Sequence, residues 1–301
     1  MSWTIDELVA NSPCAREDTR RIIAHFAGCD YATVVAFGER TVDSATAKKI
    51  QDACQRRRHG VALSYLTGTK EFYGRSFRVT SDTLVPRAET EHLVDAALSL
   101  CCRHTRSVIV DVGTGSGNII VSIAAECAAR GNHSHGFLAT DTSVGALHCA
   151  DGNARMHGVA EQIAFLHADG VTPLYRARTL RTFLHHHAPH LIICANLPYV
   201  NATHRFQLLQ REESRALRFE PPSALFAAHG GLAAYEKLFA QLSRVRRALP
   251  YSGVDVLCEI DPSQDRALRR LARRTGLRYH TTIHDLSHAP RVVHVYGPPL
   301  L

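Results

Sequence analysis

Between residues 107 and 196 four short apolar runs, SVIVDVG, GFLATD, IAFLHAD and HLIICAN, end in Asp, Asn or Gly, and helical patterns follow the first two. Regular alternation of this kind predicts a parallel sheet buried on both faces, since parallel strands need crossovers that cover the sheet. Such a sheet gathers its polar strand ends at the carboxyl edge, where open α/β folds place their chemistry. A loop over 196–230 and a long helix over 231–249 come next. Then follow GVDVLCEI from 253, a helix over 262–276, RYHTTIHD from 278 and RVVHVYG from 291. Seven strands are implied, the last two close enough to pair as a hairpin. The fold class is therefore α/β, with a seven-stranded, mostly parallel, Rossmann-like sheet.

The first 70 residues read differently. Helical stretches cover 2–11, 16–27 and 44–60, with no convincing strand pair. In the second stretch Ile22, Ile23 and Phe26 recur at helical spacing opposite Arg16, Asp18 and Arg20, and Ser44 is placed to cap the third. Residues 66–85, LTGTKEFYGRSFRVTSDTLV, alternate and carry Gly68 and Gly74, which predicts a connecting hairpin. The expected domains are 1–70, helical; 71–85, a hairpin linker; and 86–301, the larger domain.

The formal net charge is +7, much of it from Arg-rich stretches such as QRRRHG and RALRRLARRTG. That balance fits an acidic partner or a plainly solvated surface. Nine cysteines without a C-x-x-C pair read as reduced thiols in a cytoplasmic protein. The N-terminus has no apolar core of signal-peptide length, and no apolar run reaches the ~18 residues that span a bilayer, so no membrane role is expected. Nineteen histidines occur, but with no H-E-x-x-H or paired Cys/His spacing; HHH at 185–187 reads as a solvated loop, and no metal is expected.

Asp111-Val112-Gly113-Thr114-Gly115-Ser116-Gly117 closes the first strand of the sheet and opens a helix, where glycines let a ligand approach the backbone. The second strand ends in Asp141, placed to grip a ribose diol. Nicotinamide dinucleotides and S-adenosylmethionine share that layout. The dinucleotide fingerprint has two residues between its second and third glycines, and this loop has one. Asp111 also favours a cationic aminoacyl tail over a pyrophosphate. Asp169 and Gly170 end the third strand on the same edge, either beside an adenine or as a strand-terminating turn.

The fourth strand runs into Asn196-Leu197-Pro198-Tyr199. A carboxamide oxygen and a neighbouring carbonyl are two acceptors suited to a planar NH2 group, on an amide or on a nucleobase. Pro198 restricts Leu197 to an extended conformation, and Tyr199 offers a ring for stacking. The same tetrapeptide also reads as an ordinary Asn-x-Pro turn.

With these motifs the chain resembles the HemK/PrmC family of protein-(glutamine-N5) methyltransferases. The likeness runs through YLTGTKEFYG at 65–74, LVPRAETEHLV at 84–94, DVGTGSG, the strand end ATD, NLPY, and RFEPPSAL at 218–225 followed by GGLAAYEKL. It implies a helical N-terminal substrate-recognition domain and a class I methyltransferase domain. The implied activity is methylation of the glutamine in the Gly-Gly-Gln motif of class-1 peptide chain release factors, with S-adenosyl-L-methionine as methyl donor. By resemblance Gly113, Thr114, Gly115, Ser116 and Gly117 bind the methionine portion, Asp141 the ribose, and Asp169 and Gly170 flank the adenine. Asn196, Leu197, Pro198 and Tyr199 hold the glutamine amide, and no stable nucleic-acid binding is expected. Two letters depart from the pattern: Leu197 stands where the family usually has proline, and Gly170 where an aromatic is frequent.

Three other readings stay open. Leu197 resembles the tetrapeptide of adenosine dimethyltransferases of ribosomal RNA, whose target presents the same NH2 donor. A ribosomal-protein glutamine methyltransferase would carry a similar active site, and a non-enzymatic scaffold is the third. Arg56, Arg57 and Arg58 are candidates for docking a partner.

Overall fold

The computed structural model describes residues 2–104, 106–178, 180, 190–249 and 253–299; the HHH stretch at 185–187 lies outside the described residues. Two compact units are present: residues 1–69 with 208–219, and residues 70–207 with 220–301. Among the described residues no helix is long and apolar enough to cross a membrane.

Within residues 2–69 of the first unit lie the helices α1 (Ile5–Ala10), α2 (Arg16–Ala27), α3 (Tyr31–Ala36), α4 (Ser44–Arg58) and α5 (Leu63–Thr67). The stripe expected on α2 buries Ile22 and Ile23 against Ile5, Leu8, Ile50 and Cys54, while Phe26 packs at the edge. The cap of α4 is Asp43 and not Ser44. Its carboxylate accepts from the N–H groups of Ala45 and Thr46, at 3.0 Å each, and its charge suits the positive end of the helix dipole. A helix from Ser2 does not form. Trp3–Thr4 pairs antiparallel with Thr41–Val42, a two-residue ladder too short for alternation to reveal. Arg57 donates to Asp18 Oδ2 at 2.7 Å and to the Val61 carbonyl at 3.1 Å, which ties it into this unit, whereas Arg56 and Arg58 are exposed.

A hairpin follows, β1 (Thr69–Phe72) and β2 (Arg75–Arg78), shorter than the expected 66–85. Its two turn residues, Tyr73 and Gly74, have φ of 51° and 67°, as the twist of a two-residue hairpin requires. Tyr73 tolerates this because it is held: its N–H donates to Glu91 Oε1 at 2.8 Å and its hydroxyl to Asp95 Oδ1 at 2.6 Å.

In the second unit β3 (Ser107–Val112), β4 (Gly136–Asp141), β5 (Ile163–His167), β6 (His190–Ala195), β7 (Val254–Glu259), β8 (Arg278–His284) and β9 (Pro290–Gly297) form one sheet in the order β8-β9-β7-β6-β3-β4-β5. Neighbours from β7 to β5 are parallel, while β9 runs antiparallel to both β7 and β8. Helices α6 (Glu91–Arg103) and α7 (Asn118–Ala129) cover one face, burying Leu93, Ile120 and Ile123 against Ile109, Ile192 and Leu257. On the other face α9 (Ala233–Ala248) and α10 (Asp265–Arg274) bury Tyr235, Phe239 and Leu268 against Val110, Ile193 and Val256; α8 (Val144–Met156) links β4 to β5.

The register decides where chemistry can occur. Val112 is paired with both Ala195 and Thr140, and Ala195 with Cys258, so Gly113, Asp141, Asn196 and Glu259 emerge side by side at the carboxyl edge. The chain order reverses between β3 and β6, and in an open sheet that reversal opens a crevice.

Candidate active site

A cavity of about 490 Å³ occupies this crevice. Its floor is the loop Gly113–Ser116, one wall is Asp141–Ser143 with Ala168–Gly170, and the opposite wall is Asn196–Pro198. Gly113 and Gly115 have φ of 71° and 56°, so the loop turns its backbone toward the cavity where side chains would otherwise stand. Asp141 accepts from the Gly115 N–H through Oδ2 at 3.0 Å and from the Ser143 N–H through Oδ1 at 2.8 Å. Each carboxylate oxygen keeps a second lone pair, so the group fixes the loop and can still receive a diol.

Three expected site residues do not reach the cavity. Asp111 is fully buried on the α6–α7 face, because strand alternation puts it on the same side as Ile109. Thr114 donates to its Oδ2 at 2.6 Å, and Oδ1 has no partner among the described residues. Burial pushes this carboxyl up to about 7, against the hydrogen bond from Thr114. It braces the glycine loop from beneath through Thr114 and does not line the cavity. Gly117 is the left-handed cap of α7, with φ 78°, and a Cβ there would stand 2.9 Å from Ala150 Cβ on α8. Its role is helix packing. Tyr199 packs against the core on the α9 side, and its carbonyl accepts from Gln264 Nε2 at 2.8 Å.

Gly170 does line the cavity, and its surroundings account for the missing aromatic. A Cβ there would lie 2.0 Å from Gln241 Oε1. Gln241 fills that space and clamps the loop, accepting from the Val171 N–H at 2.9 Å and donating to the Asp169 carbonyl at 3.2 Å. The Asp169 carboxylate pairs with Lys237 of α9.

Asn196 Nδ2 donates to Thr90 Oγ1 at 3.1 Å, which leaves Oδ1 as the end of the carboxamide free to face the cavity. Behind them lies Glu259, 2% exposed, with Oε2 unpartnered among the described residues. Burial pushes its carboxyl up to about 7, opposed by hydrogen bonds from Thr90 and Asn196. Leu197 covers the glycine loop: its Cδ2 would be 3.1 Å from a Cβ on Gly113.

Single-strand reasoning did not single out Thr90, Gln241, Glu259, or the ion pair of Arg87 with Glu220. Glu259 is the last residue of β7, within GVDVLCEI, so its signal was a carboxylate at a strand end next in register to Asn196. Arg87 Nη2 donates to Glu220 Oε1 at 2.6 Å, with the Glu220 side chain fully buried. That pair joins the LVPRAETE and FEPPSAL segments, and Pro86, Arg87, Pro221 and Ser223 border the cavity.

Comparison with known proteins agrees with this architecture. The PrmC N-terminal domain family matches residues 1–68. The release factor glutamine methyltransferase of Nitratidesulfovibrio vulgaris is 37% identical over 75% of this chain and 70% of its own length. That of Xylella fastidiosa is 32% identical over 92% of this chain and 91% of its own, and that of Bordetella pertussis 31% over 96% and 97%. Among solved structures the hMettl16 catalytic domain, in complex with MAT2A 3'UTR hairpin 6, superposes with a TM-score of 0.54 at 13% identity, covering 86% of this chain and 84% of that one, a likeness of fold alone. With its helical first unit, its seven-stranded sheet and its full-length relatives, this chain belongs to the release factor glutamine methyltransferase family.

Proposed function

We propose that this chain methylates the side-chain amide nitrogen, N5, of the glutamine in the Gly-Gly-Gln motif of class-1 peptide chain release factors, using S-adenosyl-L-methionine in a reduced, cytoplasmic setting. The observation that carries the reading is Asn196, tethered to Thr90 at the end of β6, facing the same cavity as the glycine loop after β3. The cavity suits the donor: a glycine floor for the aminoacyl end, Asp141 for the ribose hydroxyls, and Asp169 with Gly170 beside the adenine. S-adenosylmethionine supplies an electrophilic methyl group there.

The protein's own task is to make an amide nitrogen reactive, since its lone pair is delocalised into the carbonyl. Asn196 Oδ1 and the Leu197 carbonyl each accept one N–H of the substrate NH2. Both are fixed dipoles, so the positive charge that develops on nitrogen meets partial negative charge already in place. Pro198 keeps Leu197 extended, and Tyr199 supports the turn from the core side. Thr90 prevents the Asn196 carboxamide from flipping, because its oxygen takes Nδ2–H and its own proton turns to Glu259. Asn196 cannot serve as a base, and the surplus proton leaves to solvent.

The test is methyl transfer to an intact release factor, read by mass spectrometry of the peptide that contains Gly-Gly-Gln. One added methyl on that glutamine is expected. An unmodified glutamine alongside methylated stripped ribosomal RNA or ribosomal protein would sink the reading. Residues 1–70 are proposed to dock the factor, with Arg56 and Arg58 exposed for it. The double change Arg56→Glu/Arg58→Glu is expected to raise KM for the intact factor by about 5-fold, as rim charges do, with turnover of a short Gly-Gly-Gln peptide unchanged. Equal effects on both substrates would reject the docking role.

A further inference from the structure

The opposite, amino edge of the sheet carries a second constellation. Strand alternation puts His190 with Ile192, Asp255 with Leu257, and His294 with Val292 on the face covered by α6. The apolar members enter the core and the polar ones collect at the edge, where α6 ends with His104 as its C-cap. Asp255 Oδ2 lies 2.5 Å from His190 Nε2 and 3.7 Å from His104 Nε2, while Oδ1 lies 2.5 Å from His294 Nε2. The rings of His104 and His190 stack 3.6 Å apart, 5° from parallel. A cavity of about 290 Å³ opens beside His190 and Asp255, bounded by Gly253 and Pro298.

We propose that His104, His190 and Asp255 form a site for one divalent transition-metal ion of the zinc class, with His294 as the residue that positions the carboxylate. Their donor atoms all lie within 4.8 Å of one another. Two imidazoles and a carboxylate suit borderline ions, whereas calcium and magnesium require oxygen ligands. His294 on the outer oxygen of Asp255 is the kind of support that ligating carboxylates carry.

Occupation requires a defined movement. Parallel rings point their lone pairs side by side, so His104, which is at a helix end and 33% exposed, must tilt toward His190. His190 must yield its Nε2 proton, and its 2.5 Å contact with Oδ2 must widen to about 3.3 Å, the edge of a zinc-sized tetrahedron. The other candidate cluster, Cys101, Cys127 and His135, is less suited. Asn132 Oδ1 accepts from Ser134, so its Nδ2 donates to His135 Nε2 and the ring proton is forced onto Nδ1. Neither nitrogen then offers a free lone pair.

Titration of the metal-free full-length chain with Co²⁺ tests the site. One equivalent is expected to produce visible d–d absorption without a thiolate charge-transfer band, and Zn²⁺ should displace it. His104→Ala, at a partly exposed helix end, should abolish the band and weaken binding by more than about 100-fold, with methyl transfer and metal-free melting unchanged. His294→Phe should weaken binding by about 10- to 100-fold with the band retained. The proposal fails if the wild type shows no band, if a thiolate charge-transfer band places the ion at Cys101 and Cys127, or if His104→Ala binds as the wild type does.

Discussion

Strand β7 carries a buried carboxyl at each end, and the two behave in opposite ways. Burial raises both. At Asp255, on the amino edge, hydrogen bonds and charge from His190 and His294 more than reverse it and hold the carboxyl well below the usual range. At Glu259, on the carboxyl edge, burial outweighs the hydrogen bonds from Thr90 and Asn196, the opposing charges of Glu89 and Arg291 act in opposite directions, and the carboxyl is pushed up to about 7. One edge of the sheet therefore stores an ion with its partners. The other keeps a readily protonated carboxyl behind a carboxamide, at the edge where an uncharged NH2 group is to be recognised.

The sharpest way to break this contrast is Asn196→Ala. Loss of an acceptor that matters most in the transition state should lower kcat/KM by roughly 10³-fold, or about 4 kcal/mol, with S-adenosylmethionine affinity nearly unchanged. Isothermal titration alongside turnover measurements checks it, and a comparable fall in donor affinity would move Asn196 out of the substrate site.

A smaller effect comes from the raised carboxyls. Asp111 and Glu259 bind a proton in the folded state at pH values where the unfolded chain has released it. Their contribution to stability is therefore complete below about pH 4 and is lost as pH rises toward 7. Glu259→Gln and Asp111→Asn should each gain on the wild type across that window by up to about 3 kcal/mol. Asp255 has the opposite sign: its contribution is present above about pH 4 and is lost only as the pH falls through its depressed folded value. Denaturant melts of both variants from pH 4 to 8 read the slope, and parallel curves would show that these carboxyls are ionised throughout.

The smallest expected effect is at Gly170. With φ 64° and Gln241 Oε1 in the way, Gly170→Ala should cost about 1–2 kcal/mol. Adding Gln241→Ala should recover part of it, and two additive losses would show that the two residues do not share the space.

The sheet, its seven strands and the hairpin at its end were legible in the sequence because the four strands from β3 to β6 are short apolar runs that end in a polar residue or run into Asn196, and the last two strands lie close enough in the chain to pair. The placement of the glycine loop, Asp141 and Asn196 at strand ends was legible for a related reason, since residues contiguous in sequence turn together at one strand end. What alternation and spacing could not resolve was side-chain destination. Asp111 looked like a ligand and is buried under the loop; Gly117 looked like a cradle and is a helix contact; Tyr199 looked like a stacking face and packs on the core.

Sequence by itself determined the order of elements and the letters at each strand's carboxyl end, because both follow from local periodicity. Only the tertiary structure decided which of those ends are neighbours. Register brought Glu259 behind Asn196, the pairing of Arg87 with Glu220 joined two distant segments at the cavity, and His104, His190, Asp255 and His294 met at the other edge. These contacts depend on strand order and alternation across residues far apart in the chain, which no local pattern encodes.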